Sequence, residues 1–177
     1  MFNIAGYSVI KSCFRSQINL VLVFILLISL TTMPAFAEAL PVSGWIEFVT
    51  IDNNKLQLEA KVDTGADNSS INAKILKKYT LNNEKWISFQ ITNKKGEQIV
   101  LERKISRYAN IKRKLALPLK RPVVYLGICM GKVYREAEVN LADRSTFKYQ
   151  LLIGRNYLRN KYLVDSASKH LTVPECN

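Results

Sequence analysis

Residues 61–71 constrain the fold of this chain more than any other stretch. Ahead of them, apolar and polar residues alternate from residue 56 to residue 62, the pattern of a strand with one buried face. The strand runs directly into Asp63, and a carboxylate at the end of a buried strand is costly unless something uses it. Gly65 permits a tight turn where a Cβ would clash. We therefore predict that Asp63 lies at the tip of a rigid β-loop.

Two interpretations of this loop stay open on its own sequence. Asp63 can form an Asx-type turn between two strands. Alternatively, the Asp63-Thr64-Gly65 triplet resembles the catalytic loop of aspartic peptidases. Their chemistry needs two carboxylates that share one proton, because like charges about 3 Å apart cannot both ionise. One carboxylate then acts as general base on a water, while the protonated one polarises the scissile carbonyl.

A second stretch, far downstream, favours the catalytic interpretation. Residues 151–153 are apolar and predict a short strand that ends at Gly154, and a short helix is predicted from Arg155 to Asn160. Retropepsins carry an apolar-apolar-Gly-Arg-Asn segment in this relation to Asp-Thr-Gly, and there it packs beneath the catalytic loop. The two motifs, in this order in one small β-rich chain, resemble the retropepsin group.

Further short motifs extend the resemblance over almost the whole chain, from Leu40 to about Lys169. They include Gly44-Trp45-x-Glu47, Trp86-x-x-Phe89, Arg121-Pro122-x-Val124, Asn140-Leu141-x-Asp143-Arg144-Ser145 and Val164-Asp165. Together they resemble a bacterial family of retropepsin-like proteins that are often labelled ATP-dependent zinc proteases. The resemblance implies an all-β fold, a retropepsin-like (acid protease) closed barrel with one short helix in its C-terminal half. Asp143, Arg144 and Asp165 match structural positions of the family.

The resemblance also implies a role for each residue of the loop. Asp63 would be the catalytic carboxylate, with Thr64 and Gly65 supporting the loop. Ala66 and Asp67 would bind substrate, and Asp67 would form a buried pair with Arg155. Since the chain has a single Asp-Thr-Gly, activity would require a homodimer in which two copies of Asp63 meet on the two-fold axis. Asp165 is a weaker rival for the second carboxylate, because no Thr-Gly follows it.

The zinc and ATP of the family label have no counterpart in the residues. A zinc site needs three or four His, Cys or carboxylate ligands, but the chain beyond residue 37 has only His170 and two separated cysteines. His170 is therefore expected to be a surface residue. No Gly-x-x-x-x-Gly-Lys-Ser/Thr loop is present for ATP. We predict no metal and no cofactor.

Residues 1–37 resemble a secretory signal peptide. Lys11 and Arg15 precede an apolar run, and Ala35-Phe36-Ala37 is a cleavage signal; an uncleaved N-terminal anchor is the alternative. Cleavage near Ala37 would leave residues 38–177 as the protease domain, periplasmic or secreted. In that compartment Cys129 and Cys176 could pair with each other or between chains, or both could stay free thiols.

The chain beyond residue 37 is basic. Two of the 26 Lys and Arg residues lie in the leader and all 14 acidic residues lie outside it, which leaves a net charge of +10. Eight of these cations crowd residues 103–121 without an acidic residue. This segment is interpreted as a solvated loop between strands, or as a basic rim of the substrate groove that favours acidic ligands. Nucleic acid is not expected, because only Tyr108 interleaves with the cations.

The most specific function that the sequence supports is an exported aspartic endopeptidase, active as a homodimer on peptide or protein substrates. The alternative is a non-catalytic β-domain that binds peptides or envelope components. One departure from retroviral enzymes bears on activity: the region between the motifs lacks a glycine-rich flap, and segment 103–121 is a candidate substitute. Residues 71–76 are compatible with either a strand end or a helical turn.

Overall fold

The computed structural model describes residues 39–53, 55–111 and 119–176. The predicted signal peptide, residues 1–37, and its cleavage site lie outside the described residues. Residues 40–177 form one structural unit. In the described part of the chain, no helix is long and apolar enough to cross a membrane.

Across these residues the chain forms eleven strands and one short helix. In chain order they are β1 (Val42–Ile51), β2 (Leu56–Val62), β3 (Ser69–Asn72), β4 (Lys74–Leu81), β5 (Glu84–Thr92), β6 (Gln98–Lys104), β7 (Arg107–Ile111), β8 (Leu119–Met130), β9 (Val133–Ala142), β10 (Leu151–Ile153), α1 (Arg155–Leu158) and β11 (Leu163–Lys169).

The sheet that carries the loop of Asp63 closes on itself. Its strand order is β11-β1-β2-β10-β3-β9-β8-β7, and β1 also pairs with β8 through Val49 and Met130. The strands from β1 to β8 in this order therefore form a six-stranded closed barrel, with β11 and β7 as additional strands. This confirms the predicted all-β, retropepsin-like barrel with one short helix.

Alternation along the strands produces the core. In β2, for example, Leu58, Ala60 and Val62 are buried while the residues between them are not. Strands β4, β5 and β6 form a separate antiparallel sheet. Its central strand buries Ile87, Phe89 and Ile91 in the same apolar cluster as the barrel strands. Burial of each large apolar side chain contributes about 1.5–3 kcal/mol, so this cluster fixes both sheets.

In one region the structure decides between two interpretations of the sequence, and in another it contradicts one. Residues 71–76 contain no helical turn, because β3 ends at Asn72 and β4 begins at Lys74. The loop interpretation of residues 103–121 is wrong at both ends of that segment. Arg107–Ile111 is a strand that pairs antiparallel with the start of β8, from Arg107 opposite Val123 to Ile111 opposite Leu119; residues 112–118 lie outside the described part. Pro122 lies opposite Tyr108 of β7 and one residue before Val123, where the pairing of β8 with β9 begins, so β8 has only one paired neighbour at the proline.

Candidate active site

Asp63 lies directly after β2, in a loop that holds its carboxylate in one place. Its backbone N–H donates to the carbonyl of Ile153 at 2.9 Å. Its Oδ1 accepts a hydrogen bond from the N–H of Gly65 at 3.0 Å, and its carbonyl accepts one from Ala66 at 3.2 Å. The hydrogen bond from Gly65 to the Asp63 side chain forms an Asx-type turn. The Asx-turn interpretation of the sequence therefore describes the local geometry. The turn leaves Oδ2 available, and the side chain is 29% exposed.

The second motif braces the loop from below. The N–H groups of Arg155 and Asn156 donate to the carbonyls of Ala66 and Asp67, at 2.9 and 3.0 Å. The Oδ1 of Asn156 accepts from both the N–H and the hydroxyl of Ser69, at 3.0 and 2.9 Å. These contacts join two segments that lie far apart in sequence, and they make the loop rigid.

Gly154 is required where the two motifs meet. A Cβ added there would lie 2.7 Å from the carbonyl carbon of Asn68 and 2.9 Å from its oxygen. Backbone atoms cannot move aside as a flexible side chain can. The glycine of the Gly-Arg-Asn motif therefore permits the close approach on which the loop contacts depend.

Arg155 and Asp67 form the expected ion pair, but it is not buried. Their side chains are 41% and 75% exposed, and contact is through one nitrogen of the guanidinium. The other terminal nitrogen donates to the carbonyl of Thr64 at 2.7 Å. The expectation of a buried pair is thus corrected: in this chain Arg155 links two points of the Asp63 loop at the surface. Thr64 and Asp67 are exposed, and Ala66 is partly buried.

Two basic side chains, those of Lys61 and Arg144, interact with Asp63. The Nζ of Lys61 lies 3.9 Å from Asp63 Oδ2. Burial lowers the pKa of the Arg144 guanidinium, the charge of Arg121 lowers it further, and the charge of Asp63 opposes both effects. From the sequence, Arg144 is assigned a structural position, Arg121 belongs to the segment 103–121 interpreted as a loop or a basic rim of the groove, and Lys61 is given no role. The position of Lys61 was predictable from the sequence, because side chains two residues apart in a strand lie on the same face and residues 61 and 63 have this spacing.

The residues present do not fit the zinc of the family label. His170 is engaged by Glu59, with 3.1 Å between Nε2 and Oε1, and its ring stacks on Phe48. Cys129 and Cys176 form a disulfide, which settles the alternatives left open by the sequence. No group of three or more His, Cys, Asp or Glu suited to a metal assembles within the described residues.

The closed barrel, the Asp-Thr-Gly loop after β2 and the Gly-Arg-Asn brace beneath it define a retropepsin-like domain. The chain belongs to the RimB-like family, whose model is described as retropepsin-like aspartic endopeptidase RimB and matches residues 42–175. This confirms the resemblance inferred from the motifs.

Relatives with assigned names are much longer proteins. The chain is 34% identical over 111 residues to a probable alpha-L-glutamate ligase of Shewanella pealeana, covering 61% of this chain and 24% of the relative. A protein of the same name from Parasynechococcus marenigrum is 25% identical over 116 residues, covering 64% of this chain and 25% of the relative. The chain thus spans about a quarter of the length of these relatives.

A solved structure supports the fold independently. The crystal structure of protein Lpg0085 from Legionella pneumophila, described as having unknown function, is similar with a TM-score of 0.65 and 30% sequence identity. The match covers 75% of this chain and 98% of that one.

Proposed function

We propose that this chain is an aspartic endopeptidase that hydrolyses peptide bonds with two Asp63 carboxylates, one from each chain of a homodimer. The observation that carries the proposal is the placement of Asp63. The N–H of Gly65 holds its carboxylate, the carbonyl of Ile153 holds its backbone N–H, and the side chain remains partly exposed. The sequence holds one Asp-Thr-Gly triplet, so one chain supplies half of a two-carboxylate site. A two-fold dimer would complete it.

In this mechanism the two carboxylates share one proton, since their mutual repulsion prevents both from ionising. The ionised one removes a proton from a water, which attacks the scissile carbonyl. The protonated one donates a hydrogen bond to the carbonyl oxygen and then delivers its proton as the amide breaks. Thr64 and Gly65 keep the loop in position, and Ala66 and Asp67 are proposed to contact the substrate main chain.

Acidic peptides are the substrates that the surroundings of Asp63 favour. Lys61 and Arg144 place positive charge beside the carboxylate, and such charge attracts anionic ligands. The relatives named as glutamate ligases contain a segment similar to this chain. We therefore propose that glutamate-rich peptides are substrates of the same site.

Export to the periplasm or the cell exterior is proposed as well. The leader-like residues 1–37 support it, and so does the Cys129–Cys176 disulfide, because disulfides persist in oxidising compartments. Fractionation of cells that express the full chain, with N-terminal sequencing of the product, tests this point. A product that starts near Glu38 outside the cytoplasm is expected, and an intact cytoplasmic chain would contradict it.

The central test is cleavage of a mixed peptide library from acid to neutral pH, with oligomeric mass measured in the same buffers. Asp63→Asn is expected to lower the rate about 100-fold or more, because it removes the acid–base group. Glu136→Gln, at an exposed position of β9, is the matched control and should retain activity. A stable monomer without cleavage would reject the proposal. Binding that survives Asp63→Asn and weakens with salt would instead identify the non-catalytic binding module.

A further inference from the structure

We propose that Arg121 and Arg144 form a carboxylate-binding subsite on the face of the barrel sheet that carries Lys61, and that this subsite receives an acidic side chain of the substrate. The proposal rests on the proposed function, because it assigns specificity to the same groove. It goes beyond that function by naming the groups that recognise the anion.

Strand register places the groups of this subsite on one face of the barrel sheet. A continuous row of cross-strand neighbours runs across β2, β10, β3, β9 and β8, through Lys61, Leu152, Ser70, Asn140 and Val123. Because side chains two residues apart share a face, Asp63 follows the Lys61 end of this row and Arg121 lies beside the Val123 end, four strand spacings or roughly 19 Å away. The 3.9 Å approach of Lys61 to Asp63 agrees with that placement. The opposite face carries the apolar core, including Ala60, Ile71 and Val139.

Polar atoms on this face are buried without partners. Among the described residues, Ser70 Oγ, Asn140 Oδ1 and Arg121 Nε are buried and make no hydrogen bond. Most buried polar atoms in folded proteins are paired, and an unpaired one costs roughly 1–3 kcal/mol. Three such atoms on one face indicate a surface built to hydrogen-bond a ligand.

Arg144 is the strongest element of the subsite. Arg144 is only 8% exposed. The Nε and Nη2 of its guanidinium donate only to the carbonyl of Tyr149, both at 3.4 Å. The guanidinium packs over the ring of Phe147, 4.5 Å from its centre. The backbone N–H of Arg144 donates to Asn72 Oδ1 at 2.7 Å, which fixes the start of the side chain. A buried cation with no anion at ion-pair distance is unfavourable, and a carboxylate would relieve it.

Three other arginines of the described residues have carboxylate partners, unlike Arg121 and Arg144. Arg103 pairs with Asp52, and Arg155 with Asp67. Arg107, in the same hairpin as Arg121, contacts both oxygens of Glu138 at 2.9 to 3.2 Å through its Nε. Neither Arg121 nor Arg144 has such a partner in the described part of the chain. Burial and the positive charge of Arg121 lower the pKa of Arg144, and the negative charge of Asp63 opposes this effect.

A carboxylate bound between the two guanidinium groups would supply the anion that both arginines lack. It would accept hydrogen bonds from planar forks that match its geometry, and it would separate two like charges. The polar atoms of Ser70 and Asn140 could complete the contacts to the same side chain. A glutamate or aspartate side chain, in a substrate that extends from Asp63 across this face, is therefore the ligand class that this subsite fits.

The test compares matched peptides that differ only by Glu or Gln at each position flanking the cleaved bond. Wild type is expected to prefer Glu at one of these positions by about tenfold or more in kcat/KM. Arg121→Gln should remove that preference by slowing only the Glu peptide, and Arg144→Lys should reduce it, because lysine keeps the charge but not the fork. Lys132→Gln, exposed in the β8–β9 turn, removes the same charge elsewhere and should change neither peptide. Equal effects on the Glu and Gln peptides would overturn the proposal.

A binding measurement separates this proposal from the proposed catalysis. Fluorescence anisotropy of a labelled glutamate-rich peptide is recorded with Asp63→Asn alone and combined with Arg121→Gln or with Lys132→Gln. The measurements are made at constant ionic strength. If Asp63→Asn combined with Arg121→Gln binds about tenfold more weakly and the other two proteins do not, the subsite is supported even if wild type cleaves nothing. Equal affinity in all three would refute it, even if wild type is a peptidase. Thermal unfolding of each variant establishes that it is folded.

Discussion

Glu47 shows how one buried side chain organises a distant part of this chain. It is 0% exposed and accepts four hydrogen bonds: from the N–H of Gly44 at 2.5 Å, from that of Leu171 at 3.0 Å, and from the N–H and hydroxyl of Thr172 at 3.0 and 2.9 Å. Both carboxyl oxygens therefore face donors only. Glu47 is therefore one of the groups that hold the C-terminal segment against β1.

Glu47→Gln is expected to lower the free energy of unfolding by about 2 kcal/mol. The substituted amide would turn an –NH₂ group toward two donors, and a backbone N–H cannot rotate to become an acceptor. Urea denaturation of wild type and variant at neutral pH measures the difference. Glu136→Gln on an exposed part of β9 is the control and should change stability by less than about 0.5 kcal/mol. Unchanged stability of Glu47→Gln would contradict the role assigned to it.

At this scale, the sequence revealed local relations and missed remote ones. Asp63 and Gly65 could be placed because the strand, the acid and the turn lie within a few residues. The function of Glu47 could not, since its partners Leu171 and Thr172 are more than 120 positions away. The burial of Arg144 was hidden for the same reason: a charged residue in a polar loop gives no local sign that Phe147 and Asn72 enclose it.

The β7–β8 hairpin is the element whose structure the sequence described least well. Its basic composition and its prolines suggested a loop, whereas β7 pairs with β8 at the edge of the sheet. Charged side chains are common on edge strands, where they discourage pairing with other chains. Composition therefore could not distinguish an edge hairpin from a loop. The strands of the barrel were easier, because their apolar residues alternate.

The hairpin is anchored to β9 by Arg107 and Glu138, and this anchor is expected to weaken in acid. Hydrogen bonding from Arg107, which outweighs the effect of burial, holds the pKa of Glu138 below its usual range. A lowered pKa in the folded state gives stability that is present above the unfolded value, about 4.3, and that is lost as the pH falls through the folded value. The exposure of Arg107 limits the contribution to about 1 kcal/mol or less.

Glu138→Gln tests this anchor. The variant should be less stable than wild type near pH 7, and the difference should shrink as the pH falls from about 5 toward 3. Urea denaturation across this range gives the stabilities, and hydrogen exchange at β7 amides locates the effect. Glu136→Gln, two residues away and exposed, serves as the control. A difference that stays constant with pH would show that ionisation of Glu138 does not stabilise the hairpin.

At the scale of the whole molecule, the C-terminal segment is attached to the barrel at several points. The disulfide links Cys176 to Cys129 in β8, 47 positions apart, and the N–H of Glu175 donates to the carbonyl of Gly131 at 2.8 Å. Tyr162 donates to the carbonyl of Met130 in the same area, and its burial raises its pKa to about 12. These contacts fix the end of the chain on the side of the barrel where β8 turns into β9. The Asp63 loop is supported elsewhere, by Arg155 and Asn156.

Mixing wild type with the Asp63→Asn variant tests whether two chains share one active site. If each site needs an Asp63 from both chains, mixed dimers are inactive. After subunit exchange, an equal amount of variant should then reduce the activity of a fixed amount of wild type to about half, and a threefold excess to about a quarter, as random pairing into two-fold dimers requires. Glu136→Gln in place of the Asp63 variant controls for exchange itself and should not reduce activity. If the activity of wild type is unchanged at every ratio after exchange is verified by mass, each chain must hold a complete site, and the shared-carboxylate mechanism is wrong.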